Sequence, residues 1–286
     1  MHSTYAVIDR ILADYLSKDG LPYKWLLAQT LATSIVRRTA LEHLKLAHVS
    51  VADVGAGYGA TCFELAALYP VQVDAVDRDA TLLRWSQAMA LDIKNNHGFH
   101  PLSTITFVKA DACDLPWDSS SRDVVISRFL LQHLANPSSA LNEWFRVLKP
   151  GGLLCVMDTD DGLSISYPPY NDSAVARLRD AIRTLQRLNG GDRFIGRRLA
   201  HLAHQAGFTI EQTIVLPQAT FSSPSTHTLE VNILLEQVQQ YREDLVYHGL
   251  LGEAELQALC SSTSEEILDW QFSTSNEIII IARKPA

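Results

Sequence analysis

Residues 51 to 59 read Val-Ala-Asp-Val-Gly-Ala-Gly-Tyr-Gly, a short apolar run that carries one carboxylate and ends in three alternating glycines. A helix-like segment, Ala60–Leu68, follows at once. A strand feeding a glycine-rich turn and then a helix is how a parallel sheet brings its backbone against an extended ligand. Glycine reaches positive φ and, lacking Cβ, lets that backbone approach closely.

The chain keeps this rhythm. Strand patterns at Val49–Val54, Val71–Val76, Thr104–Val108, Asp123–Ser127 and Leu153–Met157 alternate with helical ones at Ala60–Leu68, Asp79–Asn95 and Ser138–Leu148. Asp79 is placed to cap its helix, and Lys149-Pro150-Gly151-Gly152 stops the last one. Such alternation predicts right-handed βαβ crossovers, hence an α/β, Rossmann-like, mostly parallel sheet with helices on both faces. Beyond it come a loop over 159–176 and helical patterns at Ser173–Leu188 and Gly196–Ala206. A strand at Phe208–Leu216, helical stretches at Leu229–Tyr247 and Glu253–Leu259, and a final strand at Glu277–Ala282 complete the chain. Strand, inserted helices, strand predicts an antiparallel last pair. Residues 1–47 read as helices carrying Tyr5, Tyr15, Tyr23 and Trp25, an extension able to close as a lid. The body is then 48–286, with helical cap elements at about 159–190 and 225–260.

A formal charge of −8 argues against a nucleic-acid backbone as partner. The four cysteines, Cys62, Cys113, Cys155 and Cys260, are scattered without CxxC or nearby histidine spacing, which predicts free thiols and no metal. No stretch is long and apolar enough for a membrane span, and the first ten residues show no basic-then-apolar order. The expectation is a cytoplasmic chain with no membrane partner; a homodimer stays open.

Gly55-Ala-Gly57-Tyr-Gly59-Ala60 fits turns for nicotinamide dinucleotides and for S-adenosylmethionine alike. Its neighbours separate them. Asp53, two residues before Gly55, opposes a pyrophosphate but suits a cationic ligand without phosphate; alternatively it accepts hydrogen bonds from the loop amides. Asp77, closing the second strand with Arg78 beside it, is placed to accept both ribose hydroxyls. Asp111, past the third strand, can accept an exocyclic amine while Ala112 flanks a flat base, or it serves as an ordinary Asp turn.

With VADVGAGYG (51–59), the Asp77 that closes VDAVD, KADACDLPW (109–117) and DVVISRFLLQHLANPSSALNEWFRVLKPGG (123–152), the chain resembles the class I S-adenosylmethionine-dependent methyltransferases over roughly residues 45–215. The small-molecule enzymes of ubiquinone, sterol and secondary-metabolite biosynthesis are the most similar type. The resemblance implies a seven-stranded sheet with one antiparallel strand and cofactor contacts at the carboxyl ends of the first four strands. It implies methyl transfer to oxygen, nitrogen or activated carbon of a small acceptor. Ser127 and Arg128 would border the cofactor, with Arg128 on a carboxylate or in an ion pair. Gln132 lies on the same rim, and His133 is either the general base, with an ordinary pKa suited to neutral pH, or a structural histidine hydrogen-bonded to backbone. Asp158, Asp160, Tyr167 and Tyr170 are candidates for the acceptor pocket. Two rival readings are an NAD-dependent oxidoreductase, which shares the glycine turn, and a related fold that binds the cofactor without transferring its methyl group.

Overall fold

The structure, a computed structural model, describes residues 5–169, 173–222, 228–265 and 271–286. Three helices open the chain, α1 (Ala6–Leu16), α2 (Lys24–Ala32) and α3 (Ser34–Glu42). The alternating core follows as β1 (Ser50–Val54), α4 (Ala60–Leu68), β2 (Gln72–Asp77), α5 (Ala80–Asn95), β3 (Thr104–Lys109), β4 (Arg122–Arg128), α6 (Pro137–Val147) and β5 (Leu148–Thr159). After it come β6 (Ser166–Tyr167), α7 (Ala174–Leu188), α8 (Leu199–Gln205), β7 (Thr209–Ser222), α9 (Thr228–Gln240), α10 (Arg242–Tyr247), α11 (Glu253–Glu265) and β8 (Gln271–Arg283).

The sheet runs β3-β2-β1-β4-β5-β8, with β7 along the far edge of β8. β1 to β5 pair in parallel, and β8 is antiparallel to both β5 and β7, as the pattern predicts. Successive residues of a strand face opposite sides, and both sides of this sheet are covered. Val51 joins a core with α1, α4 and α5, among them Ile8, Phe63 and Met89. Its neighbour Ala52 joins the opposite core with α6 and α8, around Trp144 and Leu199. A third, separate apolar cluster links Leu178 and Leu185 of α7 to Val238, Leu245 and Leu256 of α9, α10 and α11. Cys62 and Cys155 are buried free thiols.

Three features depart from the sequence reading. Lys149 to Gly152 lie inside β5: Arg122 pairs with Leu148, then the register shifts before Val124 meets Leu153. Gly151 at φ +74° absorbs that irregularity. The expected loop at 159–176 contains the short strand β6. Most consequential, β7 and β8 run past the tip of β5. Glu277 pairs with Thr159 at that tip, so residues 271–276 of β8 continue beyond it as a ribbon with β7 on one edge and β6 on the other. No helix among the described residues is long and apolar enough to cross a membrane, and no group of three or more His, Cys, Asp or Glu among them is arranged to hold a metal ion.

Candidate active site

The carboxyl ends of the parallel strands form one rim, and the glycine turn opens it. Gly55, Gly57 and Gly59 stand at φ +80°, +54° and +80°. Gly59 has no room for a substitute, because a Cβ there would lie 2.3 Å from Ser86 Oγ and 2.9 Å from the Phe63 ring. The Gly57 amide donates to Asp77 Oδ2 at 2.8 Å, and the Asp79 amide donates to Asp77 Oδ1 at 2.9 Å. Each carboxylate oxygen therefore has one acceptor site occupied and one left. Asp77 is only partly buried, so hydroxyl donors can reach it. Asp79 caps α5 by accepting from the amides of Thr81 and Leu82, and Arg78 between the two aspartates is exposed.

Beyond β3, Asp111 is exposed and its Oδ1 accepts the Cys113 amide at 2.8 Å, the Asp turn that sequence allowed. The Cys113 thiol also lies against this carboxylate, and burial, with the carboxylate's charge, raises the thiol above its ordinary value. The turn is pinned to α6: Trp144 Nε1 donates to the Ala112 carbonyl at 3.0 Å, and the Leu115 amide donates to Glu143 Oε1 at 2.7 Å.

Three cofactor expectations need correction. Asp53 is 2 % exposed and accepts the Cys62 thiol at 3.0 Å, so its carboxylate offers almost no surface to a ligand and holds no loop amide. Burial pushes that carboxyl up to about 6, against the Cys62 hydrogen bond. Ser127 is fully buried, its hydroxyl donating to the Val54 carbonyl at 2.8 Å, which ties β4 to β1. Arg128 is committed to Glu277, with Nε donating to Oε2 at 2.8 Å and Nη2 donating to Oε1. Both partners are nearly sealed from water. This is a buried pair rather than a free cation.

A cavity of about 90 Å³ lies beside this rim, between the α2–α3 junction, the tips of β4 and β5, and the β8 ribbon. Gln29 and Thr33 line it from the helices, Phe129, Gln132 and Thr159 from the tips, and Asn276 from the ribbon. Phe129 stands at φ +55°, a strained conformation for a bulky residue and of the kind that collects at functional sites. Gln132 is the hub beneath: its amide donates to Asp158 Oδ2 at 3.1 Å, and its Oε1 accepts from Arg193 Nη1 at 3.0 Å. Arg193 is in turn clasped by Asp161, Nη2 to Oδ1 at 2.8 Å and Nε to Oδ2 at 3.1 Å.

The other acceptor-side expectations fare differently. Asp158 is completely buried behind Gln132 and does not line the cavity; burial raises its carboxyl to about 7, opposed by the Thr159 and Gln132 amides that it accepts. Asp160 is also buried, engaged by Arg197 Nε at 2.7 Å. Burial pushes its carboxyl up, but the hydrogen bonds from Arg197 and the Gly162 amide win and leave it below the usual range. Tyr167 is 72 % exposed on β6, away from the cavity, and Tyr170 lies outside the described residues. His133 sits in a short 3-10 turn at the rim without lining the cavity. The residue is exposed. Desolvation, with the like charges of Arg193 and Arg78, lowers it to about 4 rather than leaving it near neutral.

Sequence reading missed how the first helices are fastened. Glu64 of α4 is fully buried and receives Arg37 Nε at 2.6 Å, Arg37 Nη2 at 2.7 Å and Arg38 Nε at 2.7 Å; Arg38 also donates to Asp9 of α1. A single glutamate in the apolar run Cys62 to Ala67 is the signal that could have revealed it. Closer to the glycine turn, the Tyr58 hydroxyl donates to the Pro22 carbonyl, and Leu26 of α2 approaches Gly57. Trp25 Nε1 donates to Gln240 Oε1 at 2.5 Å, joining α2 to the cap.

With this geometry in hand, comparison with known proteins is informative. Residues 52–156 match the family described as "Methyltransferase domain". A Ubiquinone/menaquinone biosynthesis C-methyltransferase UbiE from Ruegeria sp. is 35% identical over 82 residues, 27% of this chain and 33% of that protein. The chain thus spans well under two thirds of the length of that relative, and only 29% of an uncharacterised protein of Streptomyces fradiae that is 39% identical over 105 residues. Among solved structures, phosphoethanolamine N-methyltransferase 2 of Haemonchus contortus, in complex with S-adenosyl-L-methionine, superposes with a TM-score of 0.52 at 17% identity, covering 96% of this chain and 60% of that one. At such identity the likeness concerns the fold.

Proposed function

We propose that this chain, whose residues 52–156 match a methyltransferase-domain family, transfers a methyl group from S-adenosylmethionine to oxygen, nitrogen or activated carbon of a small organic acceptor, in the manner of secondary-metabolite enzymes. The observation that carries this reading is the Asp77 carboxylate, anchored by the Gly57 and Asp79 amides with an acceptor site left on each oxygen. Such a group would take the two ribose hydroxyls of S-adenosylmethionine, with Asp111 available to the adenine amine and Ala112 to the base. Gly55 and Gly57 let the backbone come close, and Arg78 closes the rim. Asp77 and Asp111 thus present acceptors for two hydroxyls and an amine, the polar groups of an adenosyl ligand.

When bound, S-adenosylmethionine supplies an electrophilic methyl group. The chain's own contribution is alignment and exclusion of water: Gln132, fixed by Asp158 and Arg193, orients the acceptor at the β4 tip, and α2 covers the glycine turn. With an imidazole lowered to about 4, His133 is neutral at physiological pH and a weak base, so positioning carries more of the rate than proton removal. The test is transfer of radiolabelled methyl from S-adenosylmethionine into small molecules of a cell extract by the purified chain. A labelled small product that vanishes with Asp77→Ala supports the reading. No labelled small product at any protein concentration refutes it.

A further inference from the structure

We infer that the acceptor is a compact polar molecule, uncharged or zwitterionic and without an apolar tail, held by hydrogen bonds in the cavity between the α2–α3 junction and the β8 ribbon. The inference rests on the methyl-transfer reading above and narrows it to a substrate class.

Size comes first. The cavity is small, about 90 Å³, which favours a compact acceptor over one with a long tail. Chemistry comes second. Ligand cavities are usually lined by apolar and aromatic side chains with a few polar groups among them. Here the proportion is inverted: of ten lining residues only Val36 and Phe129 are apolar. Several of the others have capacity to spare. Among the described residues the Gln29 amide and the Thr159 and Ser275 hydroxyls have no hydrogen-bond partner, nor has Asn276 Oδ1. Arg193 has three of its five N–H groups engaged, by Asp161 and Gln132. An apolar ring or tail placed here would strip these groups of water without returning a hydrogen bond to them.

Charge comes third. The two charged residues of the lining are each paired inside the protein, Arg193 with Asp161 and Glu277 with Arg128. The lining therefore presents dipoles rather than a net charge, which suits hydroxyl, amide and amine groups better than an isolated anion or cation.

The experiment uses the full chain, tritiated S-adenosylmethionine and two acceptor panels. One contains small zwitterionic amino acids, primary amides and polyols; the other contains 1,4-naphthoquinol and 4-octylcatechol. The expected result is label in a member of the polar panel, with kcat/KM for it reduced about tenfold or more in both Gln29→Leu and Thr159→Val. S-adenosylhomocysteine affinity, unchanged within about twofold, certifies that both variants remain folded. Label only in naphthoquinol or octylcatechol overturns the inference and leaves methyl transfer standing. So does label in neither panel while S-adenosylhomocysteine still binds. Failure of the unaltered chain to bind S-adenosylhomocysteine strikes the methyl-transfer reading instead.

Discussion

The rim over β1 to β3 is assembled from residues close in sequence, whereas the rim over β4, β5 and β8 is assembled from residues the chain brings from far away. In the first, Asp77 is held by Gly57 and Asp79, and Asp111 by Cys113. In the second, Arg128 depends on Glu277, Gln132 on Arg193, and the helices that roof the cavity on Glu64. Turns within the first four βα units, with two links to α6, fix the cofactor half. The acceptor half is a set of buried polar links, and each of them is expensive to break. A scaffold built this way can keep one cofactor while its acceptor pocket changes.

The sharpest way to break the comparison is Glu64→Leu. It leaves Arg37, 1 % exposed, without its carboxylate, and an orphaned buried charge costs about 3–5 kcal/mol. Urea denaturation should register that loss; a change below about 1 kcal/mol would mean that the first helices are not anchored through this network.

Next is the pH dependence of Asp158. Its folded carboxyl lies at about 7, above the ordinary 3.8, so the native state binds the proton more tightly than the unfolded chain does. That contribution is fully present below about pH 4 and is lost as pH rises through 7, a swing on the order of 4 kcal/mol. Asp158→Asn should flatten stability across this window relative to the unaltered chain. Parallel curves for the two proteins would show that Asp158 is not desolvated as the structure has it.

For the cofactor half, Asp77→Asn should weaken S-adenosylhomocysteine binding by about 2 kcal/mol, roughly thirtyfold, with little effect on stability. Equal loss of stability and affinity would instead make Asp77 a brace for the glycine turn. The smallest effect is expected at His133. His133→Ala should leave cofactor affinity within about 0.5 kcal/mol, and the rate profile of the unaltered chain should show no histidine inflection near pH 6.5, since this imidazole is already neutral above about 5. An inflection near 6.5 that disappears in the variant would restore it as a general base.

The same division decides what the sequence could reveal. The parallel sheet, the Asp79 cap and the glycine turn were legible because each is written in adjacent residues with a fixed period or spacing. Asp77 and Asp111 were legible as strand-end carboxylates for the same reason. The burial of Asp53 and Ser127 was not, since it depends on neighbouring strands closing over them. Arg128 could not be assigned because its partner lies on β8, 149 residues away. The β7–β8 ribbon escaped notice because Gln218, Thr220, Ser273 and Ser275 carry no apolar alternation, and its order comes from cross-strand pairing alone. Asp160 read as an acceptor ligand only while Arg197 was unseen.

The central claim is that the tips of β1 to β3 hold an adenosyl ligand without phosphate. Calorimetric titration of the full chain with S-adenosylhomocysteine, and separately with NAD, tests it most directly. One binding event per chain with S-adenosylhomocysteine and none with NAD is the predicted result. Heat with NAD alone, or with neither compound, would contradict it.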